Sequence, residues 1–162
     1  MVTRLAQKLI HRLSGLGLRY LNAPEMCAAI TLPANNSHVP TKPVVLGTIH
    51  DTNEWAEIWI VVDVGNKYHP QHRVVRTEKT WQAWISIGRS TPGMDANAKF
   101  GVHVLAVTEE VNDSFEQYRK DSAKRKQWTG VPKPSDSRIL ATITVIRDDA
   151  ASPVRLSERF VR

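Results

Sequence analysis

From residue 28 onward the sequence places short apolar runs between clusters of Pro, Gly, Asn and Asp, the spacing expected of an all-β domain. Residues 28–32 read as a first strand, closed by Pro33 and the polar turn Asn35-Asn36-Ser37, and residues 44–50 and 58–64 as the second and third. The run Ile58-Trp59-Ile60-Val61-Val62 is continuously apolar, which predicts a central strand covered on both faces. Residues 68–77, interrupted by Pro70, suit an edge. Strong strands follow at 81–87 and 100–107, and the last at 139–146. Too few helices separate these strands for an α/β sheet, so a β-sandwich of immunoglobulin-like type is expected, with one helix inserted before the last strand.

Side-chain parity assigns faces to these strands. Ile58, Ile60, Val62 and Val64 fall on one side and Trp59, Val61 and Asp63 on the other. Trp81, Ala83, Ile85 and Ile87 point inward, which leaves Gln82, Trp84 and Ser86 outside and makes Trp84 the candidate exposed aromatic. The two strands belong to different sheets of a sandwich, so Trp59 and Trp84 emerge on opposite outer faces.

The predicted helix covers about residues 109–127. Thr108 serves as N-cap, acids Glu109, Glu110 and Asp113 lie at the positive end of the dipole, and Lys124, Arg125 and Lys126 lie at the negative end. Val111, Phe115, Tyr118 and Ser122 form a narrow apolar stripe. The helix joins directly to the strands that flank it, so the stripe should pack over the outer face bearing Trp59, His103, Leu105, Thr142 and Thr144, making Trp59 a core residue.

A different period marks the start of the chain. Leu5, Leu9, Leu13, Leu16 and Tyr20 share one arc of a helical wheel, with Arg4, Lys8, Arg12 and Arg19 beside them, so residues 1–24 read as a basic amphipathic helix. Gly15 and Gly17 weaken its second half by about 1 kcal/mol each. Its apolar positions are too interrupted for a membrane span or a signal-peptide core. The expected organisation is this helix, a sandwich at 28–148, and a polar carboxy-terminal tail at 149–162.

Charge sharpens the picture. The 162 residues carry a formal net charge of +6, and the four cations of residues 1–24, with no acid among those that precede them in the arm or follow up to Pro24, account for +4. The remaining +2 is too balanced for a domain that tracks a phosphate backbone, which argues against nucleic acid as partner. Cys27 is the only cysteine, so no disulfide forms within the chain, and the residue reads as a small buried hydrophobe. These features fit a cytoplasmic protein, peripheral at a membrane if the arm binds one.

Catalytic and metal chemistry find little support. His69 and His72 have a ligand spacing only on a helix, which Pro70 between them forbids, so no metal and no cofactor are expected. His50-Asp51 lacks a nucleophile and reads as turn capping. No P-loop or dinucleotide-binding glycine pattern occurs, and Glu57, Asp63 and Glu78 read as solvated surface residues.

The ordered segments Ile30-Thr31-Leu32-Pro33, Val45-Leu46-Gly47-Thr48, Ile58-Trp59-Ile60-Val61-Val62, Tyr68-His69-Pro70-Gln71, Trp81 through Ile87-Gly88, and Ile143-Thr144-Val145-Ile146-Arg147 resemble an uncharacterised family of bacterial immunoglobulin-like domains. The resemblance covers residues 28–148 and implies an accessory or interaction module, of a kind often appended to membrane-anchored or signalling proteins. It supplies no catalytic residues.

The expected function is therefore a non-enzymatic binding module. The amino-terminal helix would pack on its own domain or on a second copy, or meet a protein partner or a membrane surface through Arg4, Lys8, Arg12 and Arg19. The alternative is a carbohydrate- or small-ligand-binding sandwich using Trp84, Tyr68 and Gln71, and a hydrolase is the third reading.

Overall fold

The computed structural model describes residues 26–50, 57–74 and 79–151. The expected amino-terminal helix, residues 1–24 with its four cations, lies outside the described residues. Nine strands and one helix follow in order: β1 (Cys27–Leu32), β2 (Ser37–Val39), β3 (Val44–His50), β4 (Glu57–Val64), β5 (Lys67–Arg73), β6 (Thr80–Trp84), β7 (Lys99–Val107), α1 (Glu109–Arg125), β8 (Val131–Pro132) and β9 (Ser137–Arg147).

The strands form two sheets. Sheet A has the order β1-β3-β6, and sheet B has the order β2-β9-β7-β4-β5-β8. Every pairing is antiparallel except β2 with β9, which is parallel. The two inner faces share one core, in which Val45, Ile49, Trp81 and Ala83 of sheet A meet Ile58, Ile60, Val62, Val102, Val104 and Val145 of sheet B. Burying apolar area from both sheets at about 25 cal/mol per Å² is the main force holding them together. Within sheet A, Gly47 makes room for a neighbouring ring, since an added Cβ there would collide with the Trp81 ring of β6 and the Ala29 carbonyl of β1.

A second core lies on the far side of sheet B. Trp59, Val61, Leu105 and Val107 project outward there and are covered by Val111 and Phe115 of α1. Phe115 meets Trp59 edge to face, with ring centroids 5.4 Å apart, and Trp59 Nε1 donates to Asn112 Oδ1 at 3.0 Å. The helix begins where its cap dictates, since the Val111 amide donates to Thr108 Oγ1, and it ends at Lys126 in the left-handed region at φ 55°. The inserted helix is thus a lid over one sheet face, with Trp59 in its core.

Several local expectations are corrected. The polar turn Asn35-Asn36-Ser37 forms, closed by Ser37 N donating to Ala34 O at 3.1 Å, but Ser37 also opens the short strand β2, where Asn36 N donates to Thr144 O and Asn35 Oδ1 accepts from Thr144 N, clipping the chain onto β9. β5 pairs with β4 along its length and with the two-residue β8 only at Lys67 and Tyr68, so it is an edge from His69 onward, and Pro70 is accommodated there beside a register shift at Ile60/Val61. The ladder of β6 stops at Trp84, although Ile85 and Ile87 stay buried and bond to Pro43 O and Thr41 O. Val64, at the strand end, is 42% exposed. Cys27 is exposed, not buried, because it falls on the outer parity of β1. The start of the expected polar tail is fixed in place, since Asp149 binds the buried Arg147 and accepts from Gly93 N at 2.6 Å.

Candidate interaction surface

Strands β1, β3 and β6 read CAAITL, VVLGTIH and TWQAW, and contain no Lys, Arg, Asp or Glu. Register sets their outward side chains in rows. Ala29, Thr48 and Thr80 form one, Leu32, Leu46 and Gln82 the next, and Val44 and Trp84 a third. Antiparallel sheets that face water on one side ordinarily carry polar and charged residues there. Here Trp84 is 55% exposed and Leu32 39%, and the face bears no formal charge. Val44 belongs to neither core and is nonetheless only 2% exposed. One corner of the surface is therefore already shut from water.

Among the described residues, the site residues expected from sequence, Trp84, Tyr68 and Gln71, do not converge. Trp84 stands on the outer face of sheet A, as parity requires. Tyr68 is only 3% exposed, which removes it as a stacking platform. It lies opposite Asp63 in the β4–β5 ladder, and so on the face shared with the second core. Gln71 has both ends of its amide engaged, Nε2 donating to His69 O at 3.0 Å and Oε1 accepting from Ser86 N at 2.9 Å. It ties the end of β6 in sheet A to β5 in sheet B. Trp128, which sequence reading did not single out, is 52% exposed and packs edge-on against Tyr118 beyond α1.

Parity placed Asp63, His103 and Thr142 on one face, but not their union with Lys133 in a polar cluster. Asp63, His103 and Thr142 project from β4, β7 and β9 on the lidded side of sheet B, beyond the part that α1 covers. His103 Nδ1 and Thr142 Oγ1 are 2.9 Å apart, and His103 Nε2 lies 3.5 Å from Asp63 Oδ2, too long for a strong hydrogen bond. Lys133 Nζ donates to Asp63 Oδ2 at 2.5 Å and sits 5.2 Å from the Tyr68 ring centroid. Burial lowers the His103 pKa, with Asp63 opposing, and raises that of Tyr68, with Lys133 opposing. The bond to Asp63 raises the Lys133 pKa. Asp63 is thus a paired, partly buried carboxylate rather than a solvated one. The signal for it was present: a charged residue and a histidine on a parity otherwise held by Trp59, Val61 and Leu105.

The cluster's geometry is that of a fastening between strands. Lys133 already neutralises the carboxylate, and the free ring nitrogen of His103 is buried. His69 and His72 stand on a strand with Pro70 and a register shift between them, not on the helix that their spacing would need. Among the described residues no group of three or more His, Cys, Asp or Glu is placed to hold a metal, and no helix is long and apolar enough to cross a membrane. No family model matches this chain, and no curated protein matches it significantly.

Proposed function

We propose that this protein is a non-enzymatic interaction module that uses the outer face of sheet A, centred on Trp84, to associate with a protein partner. The observation that carries this reading is the absence of any charged side chain in three strands whose outer face holds a 55% exposed tryptophan. Exposed apolar surface of this kind marks contact sites, and uncharged edge strands are ordinarily protected against pairing. The basic residues Arg4, Lys8, Arg12 and Arg19 would add a cationic contact for an acidic partner or an anionic membrane surface. Kinship with immunoglobulin-like accessory domains is part of the same proposal; the division of strands between the sheets and the parallel β2–β9 pairing support it.

The test begins with a partner captured by the full chain and then purified. Trp84→Ala should weaken its binding by about 2 kcal/mol, or ~30-fold in Kd, as for a central aromatic anchor. Trp128→Ala, an equally exposed tryptophan elsewhere, should leave affinity unchanged. Equal effects of both substitutions would overturn the reading. A second reading, carbohydrate binding, draws on the exposed Trp84 ring with Gln82 in the neighbouring row; binding to a glycan array that Trp84→Ala abolishes would favour it instead.

A further inference from the structure

We infer that the first occupant of the outer face of sheet A is the chain's own amino-terminal segment, residues 1–24, docked in cis through its leucine stripe. The inference rests on the module reading and names what fills its surface. Three observations converge on it.

The first is attachment. Met26 is 1% exposed and its carbonyl accepts from Arg138 Nη2 at 2.5 Å, so the chain is held where it enters β1. β1 is an edge of sheet A, and the segment therefore starts at the border of the uncovered face. Tethering of this kind gives an effective concentration of about millimolar, which favours a neighbouring site on the same chain over one on another.

The second is size. As a helix, Leu5 to Tyr20 would span about 23 Å at 1.5 Å per residue, with a diameter of about 10 Å. The seven residues of β3 extend about 23 Å, and the three strands of sheet A are about 10 Å across between outer axes. A helix of these dimensions matches the area of this sheet.

The third is chemistry. Leu5, Leu9, Leu13 and Leu16 match a face that offers Leu32, Leu46 and Trp84 and has no charge to desolvate. Arg4, Lys8, Arg12 and Arg19 remain in water, so docking turns an apolar face into a cationic one. Asn22 and Pro24 lie between the stripe and β1, where the chain must reverse.

Reciprocal substitutions in the full chain test the contact. Trypsin cleavage at Lys8 and Arg12 should be slow in the unaltered protein and several-fold faster in Leu46→Asp, with Trp84→Ala as the second variant if far-ultraviolet circular dichroism shows that Leu46→Asp unfolds. In the other direction, Leu9→Asp/Leu13→Asp should increase the broadening of the Trp84 resonance by a soluble nitroxide in 5-fluorotryptophan-labelled protein, the resonance being assigned with Trp84→Phe. Cleavage and broadening unchanged by the substitutions would overturn the inference. So would protection that disappears on dilution, which means a second copy, or protection seen only with phosphatidylserine vesicles, which means a membrane. An unprotected arm together with partner binding that Trp84→Ala abolishes would remove this inference and leave the module reading standing. A protected arm with no partner would do the reverse.

Discussion

Arg147 brings a guanidinium to 1% exposure at the end of the last strand, a position that costs several kcal/mol unless every donor is used. Its Nη1 donates to Ile87 O at 2.5 Å and Arg89 O at 3.0 Å, and its Nε donates to Asp149 Oδ1 at 2.6 Å. The loop between β6 and β7 is thereby fastened to β9. Arg89 pairs with Asp95 at 2.8 Å within that loop, which holds the Asp95 carboxyl below its ordinary pKa. Arg147→Met should destabilise the fold by about 2–4 kcal/mol in urea unfolding, less than the ~3–5 of a wholly buried pair because Asp149 is partly hydrated. A loss below about 1 kcal/mol would mean that the loop holds its shape without the guanidinium. Nothing in the local pattern Ile146-Arg147-Asp148 distinguishes this arginine from a surface one. Its role exists only because β9 ends beside the carbonyls of a segment about 60 residues earlier in the chain.

At the scale of elements, α1 was the most legible part of the chain. Its cap, dipole charges and stripe are all local, and its contact with Trp59 followed from short connections to the flanking strands. Asn112 was not legible, because its position beside Val111 reads as polar surface until Trp59 Nε1 is placed above it. Asn112→Leu should leave that buried indole N–H without its partner and cost about 1–3 kcal/mol by thermal or urea unfolding. Trp59→Phe in the same background should recover most of the loss, since the orphaned donor is then gone. Failure of that rescue would show that Asn112 acts through helix packing instead. Tyr68 and Trp84 give the complementary lesson. Both are aromatic residues on strands, and alternation alone left each available as a ligand platform; Tyr68 lies under the Lys133 segment and Trp84 faces water.

For the whole molecule, burial lowers the pKa of His103, and also those of His69 and His72. The unfolded chain then takes up protons more readily than the folded one. Their contribution to stability is therefore complete above the ordinary value of 6.5 and declines as pH falls below it toward the lowered folded values. Asp95 and Asp149 are held below 3.8 by their partners, so their contribution is lost in a separate, more acidic window. Tm should fall between about pH 7 and pH 5, and His103→Gln should flatten that limb. An unchanged slope would assign the effect to the other two histidines.

The sequence by itself determined the β-rich character, the main strands, the inserted helix, and which parity of β4 and β6 points inward. It did so because periods of 2 and 3.6, caps and turn residues act over a few neighbours. Only the tertiary structure decided that three charge-free strands share one sheet face, that Asp63 meets Lys133 and His103, and that Tyr68 is buried while Cys27 is not. Those outcomes depend on register between strands far apart in the chain. The charge-free strands CAAITL, VVLGTIH and TWQAW were readable one at a time, but their union in one sheet, which makes them a surface, is a property of the fold.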